Sequence, residues 1–419
     1  MKGKRKGSKK QEGILENTGK DLAYEVGNSL FDLIVTLGMA SFIEEIEDEV
    51  RKVCGDRYKH QSNREYMRWS AHESPVIFGG RKISIRHPRV RNIRTKTEKQ
   101  IETIQQYKDR ELLSLRQMEQ MIIGVSTRKY RRSLETGIDG LEPYGDSKST
   151  VSRNFVAKTL EKLKAWRDQL INELYPIIMI DGIVYAGTTV IIALGINKTG
   201  DKKVLGAWEG STENSRVCID LLQNLIERGF DPSACKLAVI DGSKALRKAL
   251  DDVFGKRILV QRCQVHKKKN VAEYLPKEKR ESAQKAMSEA YNAESYAIAK
   301  RSLLNLVKHL EKEYPQAARS LTEGMEETLT LHKLKAHKKI RKSLCTTNPI
   351  ESLNSGIRNI TRRVKRWRNS DMVIRWVCTG IIESEKNFRK INGHMYIEAL
   401  LKNIERMGEN ILEENSKAA

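Results

Sequence analysis

Residues 175–186 read YPIIMIDGIVYA, an apolar, β-branched run broken by a single Asp181-Gly182 pair. Two similar runs follow, TTVIIALGIN at 188–197 and KKVLGAWEG at 202–210, separated by the turn-forming Lys198-Thr199-Gly200-Asp201. Three short runs at hairpin spacing predict an antiparallel meander. Residues 213–228 place Val217, Ile219, Leu221, Leu222, Leu225 and Ile226 at helical spacing, which predicts a helix. CKLAVIDGS (235–243) then reads as a buried strand, KALRKALDDVF (244–254) as a helix and RILVQRCQVH (257–266) as another strand.

Meander, helix, strand, helix, strand is the order of a ribonuclease H-like α/β fold with a mixed sheet. Working outward, 273–340 holds no strand run and is rich in Ala, Lys, Glu and Leu, so it predicts an all-helical insertion. TTNPIESLNSGIRNITRRVKRWRN (346–369) predicts a capped helix start followed by a basic helix, and Val373, Ile374, Val377, Ile381 and Ile382 predict a further one. Upstream, 97–174 reads as helical: Leu112, Leu113, Leu115, Met118, Met121 and Ile122 form one apolar set that Gly124 ends. Ser126 can cap STRKYRRSLE, and SKSTVSRNFVAKTLEKL begins another helix after a loop. Residues 58–94 read as basic and mostly irregular, with one short strand at Lys82–Arg86 ended by His87-Pro88. Leu30, Leu33, Ile34, Leu37, Met39 and Phe42 predict an amphipathic helix, which either dimerises or packs on its own domain.

The expected organisation is a basic tail and N-terminal region (1–95), a helix-turn-helix DNA-binding domain (96–174), a catalytic core in two parts (175–272 and 341–392) split by the helical insertion (273–340), and a C-terminal helical tail (393–419).

The chain of 419 residues carries 77 basic and 54 acidic side chains, a net charge of +23. Such a surface attracts polyanions, so nucleic acid is the default partner, with an anionic membrane surface or a ribosome-like assembly as duller alternatives. Six scattered cysteines form no CxxC pair, which argues against a zinc ribbon or disulfide framework and for a reducing compartment. Neither a signal peptide nor a membrane span is evident, so a cytoplasmic, nucleoid-associated location is expected and no membrane partner.

Asp181 and Asp241 each end an apolar run in the form apolar-apolar-Asp-Gly. On neighbouring strands, two such carboxylates can share a hard divalent cation. Asp181-Gly182 can also be read as a turn, although Gly187-Thr188 fits one better, and Asp241 can be read as the cap of the next helix. Glu351, three residues after Asn348, fits a capping box. It also opens a helix that carries Arg358, Arg362, Arg363, Lys365, Arg366 and Arg368 with no acid between them, and that charge suits a phosphate substrate. Lys148, Ser149, Thr150, Ser152 and Arg153 crowd the start of another predicted helix, as in a major-groove reader; an ordinary three-helix unit with a basic face is the alternative. Cys263 and His266 form a C-x-x-H, too few ligands to close a zinc site and read first as structural.

Five ordered blocks resemble one family: IDGIVYA at Asp181, LGAWEGSTENS around Trp208, VIDGSKAL at Asp241, QRCQVHKKKNV at Cys263 and His266, and TTNPIESLNSGIRNITRR at Glu351. Together with TRKYRRSLE and SKSTVSRNF they resemble bacterial insertion-sequence transposases of the Mutator type over roughly residues 95–390. The resemblance implies a ribonuclease H-like catalytic domain, an Asp181–Asp241–Glu351 triad, and Cys263 and His266 as the family's C-x-x-H signature. It implies two Mg²⁺ ions, replaceable by Mn²⁺, with Asp181 bridging them, Asp241 binding one and Glu351 the other. Double-stranded DNA is the implied partner, as terminal inverted repeats and as target, with at least a homodimer to bring two ends together. Without metal, three clustered carboxylates repel, so a loose or partly protonated site is expected. The competing readings are a DNA-binding regulator on a transposase scaffold and a nuclease of the same fold that cuts without joining. A glycosidase with paired carboxylates is disfavoured by the basic charge and sparse aromatics.

Overall fold

The basic stretch after residue 58 is ordered as a long hairpin rather than irregular. The computed structural model describes residues 37–418, apart from 60–63, 79–80, 109–110, 131–145, 211, 213, 256 and 363. Strands β1 (Tyr66–Phe78) and β2 (Arg81–Asn92) pair antiparallel from Tyr66↔Asn92 to Phe78↔Arg81, with a bulge at Arg68/Ser70. A two-residue β3 (Glu98–Lys99) adds to β2 at Val90 and Arg91 only. Pro88 therefore does not end the strand, because proline is accommodated on a strand with an open edge. The hairpin is ordered by what covers it. Helix α1 (37–54) lays Met39, Phe42, Ile46 and Val50 on Val76, Ile83, Ile85 and Val90. The described part of this amphipathic helix thus buries its stripe on its own sheet. From the acidic run on its polar face, Glu49 accepts the backbone N–H groups of Glu102 and Thr103 at 2.7 and 2.9 Å. It thereby caps α2 (Glu102–Gln106).

Helices α3 (Glu111–Ile122) and α4 (Lys148–Arg167) follow. Fully buried Gln117 on α3 donates to Asp146 at 2.7 Å and accepts from Asn154 of α4 at 2.8 Å. Asp146 is also paired with Lys82 of β2 at 3.4 Å. The basic tail, Leu30, Leu33 and Ile34, the STRKYRRSLE helix beyond Tyr130, its following loop, Glu213 and Arg363 lie outside the described residues.

The chain divides at Lys158/Thr159 into two compact units. The second is an α/β unit built on a mixed five-stranded sheet of order β6-β5-β4-β7-β8. Strands β4 (Ile177–Tyr185), β5 (Thr188–Ile196) and β6 (Lys202–Glu209) form the antiparallel meander. The β4–β5 turn is Ala186-Gly187, both at positive φ, one residue earlier than the sequence suggests. Helix α5 (Ser215–Glu227) leads to β7 (Leu237–Ile240), parallel to β4, and α6 (Lys244–Phe254) leads to β8 (Leu259–Arg262), parallel to β7.

β4 is buried on both faces, which is why its sequence is continuously apolar. Ile178 and Ile180 pack toward α5 and α6, while Ile177, Met179, Ile183 and Tyr185 pack in the cluster on the other face. After β8 runs a helical block: its residues from Val271 to Leu329 form a core of their own, while Leu331, Leu334, Ile340 and Leu344 join the second layer on that other face of the sheet. It comprises α7 (Gln264–Glu273), α8 (Lys277–Tyr291), α9 (Tyr296–Glu311), α10 (Pro315–Thr322), α11 (Met325–Thr328), α12 (Thr330–Lys333) and α13 (Lys338–Leu344). Buried Gln261 of β8 fastens the block to the sheet, donating to the Thr328 carbonyl at 2.9 Å, and buried Gln264 of α7 donates to the same carbonyl at 2.9 Å.

Helices α14 (Asn348–Thr361), α15 (Ser370–Glu385) and α16 (Ile397–Ala418) complete that second layer. The basic helix expected after Glu351 stops at Thr361. Like charges three and four residues apart disfavour a helix through residues 362–368, and Asn369 starts α15 afresh by accepting from Met372 N–H at 3.1 Å.

Candidate active site

The last parallel pair between β4 and β7 is Ile180↔Ile240, so Asp181 and Asp241 each come one residue later on adjacent strands. Side-chain alternation along β4 turns Asp181 away from Ile180 and toward the α14–α15 layer. Asp181 lies within β4 and is not a turn residue. It is 5% exposed and accepts the Gly182 N–H at 2.9 Å. Burial raises its pKa to about 6; the charge of Asp241 adds to the rise, while Thr347, His266 and the Gly182 N–H pull the other way.

Asp241 does not cap α6. Ser243 does, accepting from Leu246 N–H at 3.2 Å. Asp241 accepts instead from Ser243 N–H at 2.9 Å and from the Thr212 hydroxyl at 3.5 Å. Ser243 Oγ in turn donates to the Thr212 carbonyl. Asp241 opens onto a cleft of about 410 Å³ lined also by Thr212, Lys244, His266 and Asn270.

Cys263 follows β8, fully buried, and donates its backbone N–H to Ile240 O at 2.7 Å. His266 sits within the first turn of α7. Its hydrogen bond with Cys263 raises its pKa to about 9 against burial, with Cys263, Asp181 and Asp241 adding negative charge. Burial pushes the Cys263 thiol up, but hydrogen bonds and charge from His266 and the Thr347 N–H outweigh it and hold the thiol below its usual range. The His266 ring thus lies beside the two carboxylates, whose charge helps to hold its pKa up.

Glu351 occupies the first turn of α14 and is exposed, and no described residue hydrogen-bonds its carboxylate. The helix starts one residue earlier than a capping box on Asn348 requires: Thr347 is the N-cap and Pro349 the second helical residue. Thr347 is itself fully buried, donates its hydroxyl to Cys263 Sγ at 3.7 Å, and lies close enough to Asp181 to lower its pKa. The structure thus sets Asp181, Asp241 and His266 together and brings the start of the Glu351 helix against them. Among the described residues no three His, Cys, Asp or Glu side chains are gathered closely enough to hold a metal ion.

Of the helix-start residues on α4, Lys148, Ser149, Ser152 and Arg153 are exposed, and half-buried Thr150 bonds to Ser147, which caps the helix. Arg358, Arg362 and Arg366 are exposed at and beyond the far end of α14. Sequence reasoning did not single out Thr212 or Thr347. Both lie in the quoted blocks as hydroxyls near an acid, GSTENS and TTNPIES, but their partners are distant in sequence. No helix among the described residues is long and apolar enough to cross a membrane.

The chain is similar to known proteins. The chain is 27% identical over 292 residues to the transposase for insertion sequence element ISRM5 of Rhizobium meliloti (strain 1021), covering 67% of this chain and 70% of that one. It is 33% identical over 175 residues to the IS6120 transposase of Mycolicibacterium smegmatis, covering 42% and 53% of the two chains. It is 27% identical over 269 residues to the IS256 transposase in transposon Tn4001 of Staphylococcus aureus, covering 60% and 65%. The family described as "Transposase, Mutator family" matches residues 9–391, and the chain belongs to that family.

Proposed function

We propose that the chain is a transposase that binds the terminal inverted repeats of its insertion sequence, cuts DNA there and joins the freed ends to a target. In this reading the second unit is a ribonuclease H-like catalytic domain, and α7–α13 are a helical insertion in it. The reading is carried by one observation: two carboxylates follow register-matched residues on parallel strands, one of them buried at an energetic cost, beside a helix start that offers a glutamate with no partner among the described residues.

The three carboxylates are oxygen donors, which suit Mg²⁺ or Mn²⁺ better than zinc. Asp181, Asp241 and Glu351 would hold two such ions. When bound, the ions would activate an attacking oxygen and stabilise the leaving one. The chain supplies the rest. The sheet fixes Asp181 and Asp241 rigidly, and Ser243 N–H and Thr212 orient the Asp241 carboxylate. His266, protonated at neutral pH, offsets part of the negative charge before metal arrives. Exposed Lys148, Ser149, Ser152 and Arg153 on α4 would contact the repeats, and Arg358, Arg362 and Arg366 the phosphate backbone near the cut. No covalent protein–DNA intermediate is required, so no Ser or Tyr nucleophile need be sought. Two ends must meet, so a homodimer or larger assembly is expected on DNA in the nucleoid.

The test is Mg²⁺-dependent nicking of DNA carrying the element's ends. Asp241→Asn should abolish nicking while end binding persists; normal nicking by that variant refutes the assignment. Strand transfer from a pre-nicked end separates a transposase from a nuclease that only cuts.

A further inference from the structure

Thr347 stands at the N-cap of α14, where a threonine hydroxyl ordinarily accepts a hydrogen bond from the helix's first amides. Here it makes no capping bond. The fully buried side chain turns the other way, to Cys263 Sγ at 3.7 Å and to Asp181. The Thr347 backbone N–H is also directed at the Cys263 sulfur. Two more bonds stitch the same place together: Cys263 N–H reaches Ile240 O, next to Asp241, at 2.7 Å, and Gln264 N–H reaches Cys345 O at 2.9 Å. The chain entering α14 is thus tied at residues 345 and 347 to the chain entering α7, which is tied to the end of β7. Glu351 lies one helical turn past Thr347.

We propose that Thr347 and Cys263 form a clasp that positions the first turn of α14, and with it Glu351, against Asp181 and Asp241. Cys263 of the C-x-x-H pair then acts as the hub of this clasp, and not as part of a metal centre of its own. The clasp's effect on cleavage rests on the triad reading above; its effect on the start of α14 does not.

The experiment uses the full chain with Thr347→Val, which keeps shape and loses the hydroxyl, Thr347→Ser, which keeps the hydroxyl, and Cys263→Ser as a milder change at the sulfur. Two quantities are read: hydrogen exchange of the backbone amides of residues 350–352 without metal or DNA, and the single-turnover Mg²⁺-dependent cleavage rate at saturating end DNA. Residues that orient ligands typically change activity by about 10–100-fold when removed. Thr347→Val should therefore speed exchange in the first turn of α14, leave α9 unchanged, and slow cleavage by roughly tenfold or more at unaltered end affinity. Thr347→Ser should restore most of both. If Thr347→Val does not fold, Cys263→Ser is read by the same two measures. Unchanged exchange in that first turn overturns the clasp, and so does faster exchange with an unchanged cleavage rate. If the unsubstituted protein does not cleave, the triad reading fails, and the exchange data still decide whether the clasp exists.

Discussion

Replacing Asp181 by Asn should stabilise the metal-free protein at neutral pH while destroying its activity. Asp181 is held at a pKa of about 6 against an ordinary 3.8. At about 1.4 kcal/mol per pH unit, that interval corresponds to about 3 kcal/mol. The native carboxyl binds its proton more tightly than the unfolded one. Between pH 3.8 and about 6 the unfolded chain has therefore released a proton that the native chain retains, and native stability falls as pH rises through this window. The full cost is present above it. An amide does not ionise, so the stability difference between Asp181→Asn and the parent should be near zero at about pH 4 and approach 3 kcal/mol by about pH 7.5. The variant gains less if the amide serves Gly182 N–H or Thr347 poorly. The assay is urea unfolding of both proteins without divalent ions at three pH values across that range, comparing midpoints. Mg²⁺ should then stabilise the parent and not the variant, because a ligand that binds only the native state adds to its stability. For the parent, the apparent Mg²⁺ affinity at about pH 5 should be about tenfold weaker than at neutral pH, since only about a tenth of Asp181 is then ionised. A variant-minus-parent difference that stays constant across pH would show that burial of this charge is not what the site carries.

Arg153→Ala should weaken binding to the element's ends and reduce the steepness of its salt dependence by about one ion; gel shifts with unchanged affinity and slope would remove α4 as the reader. Gly242→Ala should cost on the order of 2 kcal/mol or more, because Gly242 has φ +108° and a Cβ there would lie 2.0 Å from Arg262 Nε; an unshifted unfolding midpoint would contradict this. Burial and the charge of Arg341 hold His332 at a pKa of about 4, so it is neutral when native. Because the unfolded chain takes up a proton that the native one refuses, native stability falls by roughly 3 kcal/mol as pH drops from 6.5 toward 4. His332→Leu should flatten that acid limb in pH-resolved unfolding, and an identical limb in the variant would refute the account.

The parts of the fold legible in the sequence were those whose signal is local. β4, β5 and β7 are buried on both faces, so their runs are continuously apolar, and α5 and α6 show a clear helical stripe. The β1–β2 hairpin escaped because Glu73, Pro75 and Pro88 interrupt the alternation outside Lys82–Arg86, and its order comes from α1, which covers one face from a distant stretch of chain. The end of α14 was misjudged for a related reason: its amphipathic pattern carries on into a cationic run that repels itself as a helix.

The site divides along the same line. Each acid had a local explanation, Asp241 as a helix cap and Glu351 as half of a capping box, and pattern alone could not choose between cap and ligand. Tertiary structure supplies a criterion, which is whether something else does the capping. Ser243 caps α6. Thr347 holds the cap position of α14, and its hydroxyl is turned to Asp181 and Cys263. Asp241 is thus not needed as the cap of α6, the Glu351 carboxylate makes no hydrogen bond to any described residue at the start of α14, and Asp181 is buried at a cost to stability. Two neighbouring carboxylates, Asp181 and Asp241, one of them buried against the other's charge, are what the proposed function would use to receive positive charge.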